Sequence, residues 1–148
     1  VVLSRQGLAE SRTEENAKEN LSLKGAYVIS KEPGNLDAII FATGTEVELA
    51  IKAQKVLIEK GVSIRVVSMP STYLFDKQPK EYQEEVLPKG VFKLGLEMGE
   101  AIHLYKYIDN GKVHNITTFG ASGKASDVIK AYNFTPEYVA QEILNNVK

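Results

Sequence analysis

Short apolar runs separated by a helical pattern constrain the fold of this chain more than any other feature. DAIIFAT (37–43) is an uninterrupted apolar run of the kind found in strands covered on both faces, and SIRVVSMP (63–70) predicts the next buried strand. Between them, residues 45–60 place apolar side chains on one side of a helix, which Gly61 is suited to end. This order indicates an α/β sandwich with a largely parallel sheet.

Three further segments have the character of strands. GAYVIS (25–30) predicts a short strand, and VFKLGLEM (91–98) predicts a buried one with partial alternation. HNITTF (114–119) predicts another strand of the parallel series. The polar stretch 7–23, with few apolar residues, is typical of a connector.

Helical patterns fill the spaces between these strands. The stretch after the second buried strand holds short helical pieces broken at Pro79 and Pro88. A further helix begins near Ala125, and Thr135 with Pro136 predicts the N-cap and first residue of a final helix.

Composition excludes several classes of protein. The 148 residues are enough for one domain with a substantial core, and the absence of cysteine excludes disulfides, thiolate nucleophiles and Cys-ligated metals. A formal net charge of -1 gives no broad basic field, so we expect no nucleic-acid partner. No apolar run reaches the roughly 18 residues of a membrane span, so we expect no membrane partner. A cytoplasmic location is compatible with these features.

ATGTEVELA (42–50) passes from a buried strand into a helix through a glycine, an arrangement in which backbone N–H groups can bind a phosphate. The segment lacks both the G-x-G-x-x-G pattern and the lysine of a P-loop. Thr45 and Glu48 have the T-x-x-E spacing of a capping box, which by itself accounts for these residues. We therefore predict that Thr45 caps the helix and does not bind an anion.

FGASGKAS (119–126) is a second glycine-containing turn from strand to helix, and Lys124 makes an anion site a legitimate hypothesis. The alternative is a tight turn in which small residues let strand and helix approach and Lys124 is solvated. We favour the structural interpretation.

The other chemically versatile side chains form no recognisable catalytic set. The two histidines lack the spacing of a metal or nucleophile motif. Two carboxylates flank a glycine near the end of a strand, where α/β sheets bind ligands, but a solvated or capping pair is the simpler interpretation. Two tyrosines are expected to pack or to line an interface. The histidines are His103 and His114, the carboxylates are Glu97 and Glu100, and the tyrosines are Tyr105 and Tyr107.

A series of motifs, taken in order, closely resembles the carboxyl-terminal part of transketolase over essentially the whole chain. The departures from the family pattern are conservative: Thr45 stands where Ser is frequent, and Leu104 or Tyr105 where Trp is frequent. The motifs are LSRQ (3–6), KGAYVI (24–29), ATGTEVELA (42–50), RVVSMPS (65–71), FDKQ (75–78), EYQEEVLP (81–88), FGASGKAS (119–126) and NFTPEYVA (133–140).

The resemblance implies a fragment of a longer enzyme. Residues 1–23 would be the end of the middle, pyrimidine-binding domain and a linker, with residues 1–6 as its last strand, and residues 24–148 would be the carboxyl-terminal domain. The fold implied is α/β, a three-layer α/β/α sandwich with a mostly parallel mixed sheet of about five strands.

The resemblance also implies an activity for the whole enzyme. Transketolases use thiamine diphosphate, held through Mg²⁺ or Ca²⁺, to move a two-carbon ketol unit from a ketose phosphate to an aldose phosphate. The catalytic histidines, the cofactor-contacting glutamate and the metal ligands of the family would lie in the preceding domains. This fragment would then be structural and inactive alone. Its implied partners are the rest of its chain, the second subunit of a homodimer, and sugar phosphates.

Arg5 is the one site residue that the resemblance implies. The arginine of the S-R-Q motif contacts the sugar phosphate in the family, and a planar guanidinium can bind a phosphate dianion bidentately. The alternative is an arginine in a salt bridge at a domain boundary.

Two other classes of function remain open at this point. Deoxyxylulose-phosphate synthases and the beta subunits of 2-oxoacid dehydrogenases have similar carboxyl-terminal domains, although they lack this S-R-Q followed by K-G-A-Y-V. A free-standing module that binds small anions would bind them at residues 43–48 or 120–124.

Overall fold

A computed structural model describes residues 7–8, 10–14 and 17–147. The sheet is five-stranded, in the order β1-β3-β2-β4-β5, and it is parallel except for β1, which runs antiparallel to β3. The elements are a 3-10 helix at Leu21–Lys24, β1 (Tyr27–Ser30), β2 (Ala38–Ala42), α1 (Glu46–Glu59), β3 (Ile64–Ser68), α2 (Thr72–Asp76), α3 (Lys80–Val86), β4 (Phe92–Glu97), a second 3-10 helix at Ile102–Tyr107, β5 (Gly111–Asn115), α4 (Ala125–Ala131) and α5 (Pro136–Leu144).

Helices cover both faces of this sheet and form two separate cores. On one face, Ile40 packs in a cluster with Leu57 of α1 and Ile143 of α5, all without solvent contact. On the other face, Phe41 packs in a second cluster with Phe75 of α2. Neighbouring residues of a strand point to opposite faces, so β2 supplies both cores and all its residues are buried. The predicted three-layer α/β/α sandwich with a mostly parallel mixed sheet is confirmed.

The predicted strand at 114–119 was placed too late in the chain. β5 is Gly111–Asn115, and it pairs in parallel with β4 from Gly111, opposite Lys93, to Asn115, opposite Glu97. A side chain at Gly111, which has φ 136°, would place its Cβ 1.9 Å from the Lys93 carbonyl oxygen. Only glycine permits this approach of two backbones, whereas the β-branched residues 116–118, which favour strands, leave the sheet.

The ends of two predicted helices are confirmed. α1 is followed by Lys60 and then by Gly61, whose φ of 77° is the left-handed conformation common after a helix. At the start of α5, the Thr135 hydroxyl accepts the Tyr138 N–H at 3.3 Å and Pro136 is the first helical residue. Among the residues that the structure describes, no helix combines the length and apolar character needed to cross a membrane.

Candidate functional site

Arg5, the predicted phosphate ligand, lies outside the residues that the structure describes. Its role stays a prediction, as does the division of the chain at residues 23 and 24. The described residues can nevertheless be tested for the other sites that the sequence suggested, beginning at the carboxyl edge of the parallel strands, where α/β sheets bind ligands.

The capping box predicted after β2 was wrong. Thr45 already has helical backbone angles, φ -65° and ψ -28°, and its hydroxyl donates to the Glu46 carboxylate at 3.0 Å instead of accepting a helix N–H. Glu48 forms an ion pair with Lys52 one turn further along. An N-cap residue needs extended backbone angles, and here the turn at Gly44, with φ 55°, has already set the helical direction before Thr45.

The Glu46 carboxylate lies beside this turn, with its Oε2 3.8 Å from the position that a Cβ on Gly44 would take. Its side chain is buried, and its Oε1 accepts the Met98 N–H at 3.3 Å, which joins the start of α1 to the end of β4. Burial raises the pKa of Glu97, and the charge of Glu46 raises it further. The acidic character of this edge disfavours the anion site considered at residues 43–48.

The turn at residues 120–124 offers no enclosed site. All five of these residues are exposed, and a Cβ at Gly120 would meet no atom within 4 Å. α4, which follows, is a helix of 7 residues with none buried. The geometry agrees with the structural interpretation, in which Lys124 is solvated.

The two histidines lie in different environments. His103 is exposed on the second 3-10 helix. The His114 ring packs at a tilt against Phe134 and Tyr138, with centroids 4.5 Å and 5.3 Å away, and its Nδ1 lies 3.4 Å from Glu142 Oε2. These contacts hold β5 against α5. Within the part of the chain that the structure describes, no three His, Cys, Asp or Glu side chains are placed to hold a metal ion.

Tyr107 packs in the core, as one of the two sequence interpretations proposed. Its ring lies 5.6 Å from that of Phe75 and 6.2 Å from that of Phe41, and its hydroxyl donates to Asp76 at 2.7 Å. Burial raises the pKa of Tyr107, and the bond to Asp76 raises it further. Tyr105, in contrast, is 50% exposed and has room to line an interface.

An ion pair between a buried lysine and a partly exposed aspartate, which the sequence did not predict, lies at the other end of the sheet. The Lys93 side chain in β4 is 1% exposed, and its ammonium donates to the Asp109 carboxylate and to the Val91 carbonyl. Burial alone would raise the pKa of Asp109, but the hydrogen bonds from Lys93 and from the Gly90 N–H lower it to about 2. A lysine inside the apolar run VFKLGLEM was the available signal.

Lys93 and Asp109 also line a concave region of about 260 Å³ that contains three other lysines. Lys106 pairs with Asp76, Lys89 pairs with Glu84 at 3.4 Å, and Lys80 donates to the Gln83 side-chain carbonyl at 3.2 Å. Because carboxylates pair with three of the four lysines, the concavity has little excess positive charge with which to select an anion.

The chain matches a known family of protein domains. Residues 25–135 match the family described as the transketolase-like C-terminal domain, which is most of the chain. The chain belongs to this transketolase family. The match includes all five strands of the sheet and runs to the start of α5.

Curated transketolases of several bacteria are similar to almost the whole chain. A probable transketolase of Streptococcus pneumoniae is 44% identical over 147 residues, which is 98% of this chain and 22% of that protein. Transketolase 1 of Escherichia coli is 43% identical over 149 residues, which is 97% of this chain and 22% of that protein. The chain therefore spans about a fifth of the length of the curated transketolases that it matches.

Solved transketolases have the same fold. A variant of the transketolase from Pichia stipitis superimposes with a TM-score of 0.84 and 39% identity over 96% of this chain and 20% of that one. A second variant from the same organism, in complex with xylulose 5-phosphate, gives a TM-score of 0.77 and 41% identity over 85% of this chain and 18% of that one.

Proposed function

We propose that this chain is the carboxyl-terminal part of a transketolase, which transfers a two-carbon ketol unit between ketose and aldose phosphates. The observation that carries the proposal is a match of 43–44% identity to transketolases over 97–98% of the chain. Within the enzyme, the domain acts as a scaffold and an interface. The names of these relatives favour transketolase over the two other thiamine enzyme classes and over a free-standing anion-binding module.

Thiamine diphosphate with Mg²⁺ or Ca²⁺ is the cofactor set of the proposed enzyme, and when bound it would act as the electron sink for ketol transfer. The described residues do not fit this group, because they include no set of three carboxylates or histidines placed to hold a metal ion. We therefore assign no step of the reaction to them. The cofactor is held by the preceding domains in this proposal.

The proposed partners are the preceding domains, a second subunit in a homodimer, and sugar phosphates. The crystallised complex of the Pichia stipitis enzyme with xylulose 5-phosphate supports the last of these. A cytoplasmic location is proposed with them, since sugar phosphates are charged metabolites that membranes retain.

Arg5 binds the substrate phosphate in the assembled enzyme under this proposal. The LSRQ motif supports this role, together with the geometry of a guanidinium that is always charged and can donate two parallel hydrogen bonds to a phosphate. Hydrogen bonds to charged groups contribute roughly 1.5–3 kcal/mol, which corresponds to about tenfold to a hundredfold in kcat/KM.

Steady-state kinetics of the full-length enzyme test both the activity and the role of Arg5. We expect ketol transfer from xylulose 5-phosphate to ribose 5-phosphate, and a loss of about tenfold to a hundredfold in kcat/KM for Arg5→Ala. Arg5→Lys should recover part of this loss, because lysine keeps the charge but not the bidentate geometry.

An unphosphorylated ketose donor with glycolaldehyde as acceptor is the control, because neither substrate has a phosphate for Arg5 to bind. Equal losses with both substrate sets would mean that Arg5 holds the domains together in a salt bridge. No ketol transfer by the wild-type enzyme would refute the proposed function itself.

A further inference from the structure

Exposed apolar side chains are concentrated at one end of this domain. Among the residues that the structure describes, five large apolar side chains are at least half exposed: Leu23, Tyr73, Ile102, Tyr105 and Phe119, with Phe119 99% exposed. We call these five residues the apolar edge. Three of them are aromatic, and Tyr and Phe are enriched in protein interfaces.

The topology of the sheet places the apolar edge at the carboxyl ends of the parallel strands. Tyr73 follows β3, Ile102 and Tyr105 follow β4, and Phe119 follows β5. Leu23 precedes β1, which is antiparallel, and Tyr27 at the start of β1 pairs with Ser68 at the end of β3. All five side chains therefore come from segments at the same end of the sheet, while Ile58, near the end of α1, lies at the opposite end.

Hydrogen bonds hold the segments of the apolar edge in fixed positions. The Ser71 N–H donates to the Gly25 carbonyl at 3.0 Å, which joins α2 to the first 3-10 helix. Asp76 of α2 accepts from Lys106 and from Tyr107 of the second 3-10 helix. In the next loop, the Tyr132 hydroxyl donates to the Phe119 carbonyl at 2.8 Å. The backbone that carries these exposed side chains is therefore held by hydrogen bonds, so binding through them has a smaller entropic cost of ordering.

The preceding part of the chain joins the domain at this same end. Residues 21–24 form the 3-10 helix that leads into β1, and β1 starts beside the end of β3. In the curated relatives, the region that matches this chain is 22% of a longer polypeptide. A neighbour tethered at this point has a high effective concentration at the apolar edge, which favours it over any separate molecule.

We propose that the apolar edge is the surface on which the preceding domains of the same transketolase chain pack. This inference rests on the proposed function, because it requires those domains. It assigns the interface to the carboxyl end of the sheet and to these five side chains, and leaves the amino end, with Ile58, in solvent. Each of these side chains exposes apolar surface to water in the separate domain, and burial against a neighbouring domain removes the cost of hydrating it.

Hydroxyl-radical footprinting of the full-length enzyme tests the location of the interface with a matched pair of residues. Ile102 is 77% exposed in this structure and Ile58 is 43% exposed, so a domain with a free apolar edge would have Ile102 oxidised faster. We expect the opposite order in the full-length enzyme, with Ile102 oxidation reduced below that of Ile58. Faster oxidation of Ile102 than of Ile58 would overturn the proposal.

A photo-crosslinker identifies the occupant. The full-length enzyme carries p-benzoylphenylalanine in place of Tyr105, or in place of Ile58 as the control, and is assembled from a mixture of isotopically light and heavy chains. We expect position 105 to crosslink to preceding domains of the same isotopic label, and position 58 to give few crosslinks. Crosslinks at 105 that join light to heavy chains would overturn the assignment to the same chain. Ketol transfer is measured separately, so an active enzyme with an exposed Ile102 refutes this inference and leaves the proposed function standing.

Discussion

At the scale of single residues, Lys93 is the least expected feature of the molecule. A charged side chain with 1% exposure is rare unless it is paired, and Asp109 supplies the pair from the loop before β5. Asp109 itself is 41% exposed, so solvent contributes to its hydration while Lys93 depends on its protein partners. The two residues therefore differ in how costly their removal is.

Substituting the two members of this pair should give unequal losses of stability. Asp109→Asn leaves a buried ammonium without its carboxylate, and we expect a loss of about 3 kcal/mol in the free energy of unfolding. Lys93→Met replaces the charge with an apolar side chain of similar length, and we expect a loss of about 1 kcal/mol or less. Urea unfolding measures both. Equal losses would mean that Lys93 does not depend on Asp109.

The same variants test the pH dependence of this pair. The pKa of Asp109 is lowered to about 2 in the folded protein, below its value in the unfolded chain, so the pair stabilises the fold above about pH 4. That contribution is lost as the pH falls towards 2, where the carboxylate becomes protonated. We expect the stability of Lys93→Met to fall less steeply than that of the wild type over this range. Parallel pH profiles would contradict the interpretation.

At the scale of secondary structure elements, the starts of α1 and α5 show how one sequence signal has two outcomes. Thr45 and Thr135 both precede a helix, but only Thr135 has the extended backbone and the side-chain hydrogen bond of an N-cap. Glu48 stands three residues after Thr45, as in a capping box, whereas Tyr138 stands three residues after Thr135. The sequence pattern therefore favoured Thr45 as a cap. The backbone conformation of the preceding turn decides which threonine can cap.

Replacing the two threonines by alanine gives a matched comparison. We expect Thr135→Ala to lower the free energy of unfolding by about 1 kcal/mol, because a helix N–H loses its acceptor. Thr45→Ala removes only the bond from its hydroxyl to Glu46, and we expect it to lose clearly less than Thr135→Ala. Thermal or urea unfolding of both variants measures the difference. A larger loss of unfolding free energy for Thr45→Ala than for Thr135→Ala would support the capping box predicted from the sequence.

The elements themselves were largely predictable, because burial on both faces leaves continuous apolar runs for β2 to β4 and a 3.6-residue period for α1 and α5. β5 was misplaced because the residue that fixes its register is a glycine without any strand signal. Its position depends on how closely the backbone of β4 approaches, which is a property of the assembled sheet and not of residues 111–115 alone.

At the scale of the whole molecule, the main feature of the described residues is a five-stranded sheet with a hydrophobic core on each face. The sheet and its two cores are complete within the described residues. Among the candidates that the structure describes, His103 and Lys124 are exposed, His114 and Tyr107 pack against other aromatic rings, and Glu48 forms an ion pair with Lys52. Such a domain contributes to an enzyme through the surface that it presents to its neighbours.

This chain on its own should neither bind thiamine diphosphate nor transfer ketol units. A carbanion cofactor needs an enclosed and oriented site, and the proposed enzyme places that site in the preceding domains. We expect no heat of binding when the purified chain is titrated with thiamine diphosphate and Mg²⁺ in a calorimeter. The full-length enzyme is the positive control. Micromolar binding by the chain alone would show that a cofactor site exists within these residues.

The fold class, the family and most of the elements were predictable from the amino-acid sequence, because periodicity, caps and ordered motifs are local properties of each segment. Only the tertiary structure revealed the ion pair of Lys93 with Asp109, the burial of Glu46 and the apolar edge. Each of these depends on which segments meet: two strands and their loops, a helix start and a strand end, or four connections at one end of a sheet. The spacing of residues in the sequence does not predict these contacts between distant segments, because they depend on the order of the strands in the sheet and on the direction in which each strand runs.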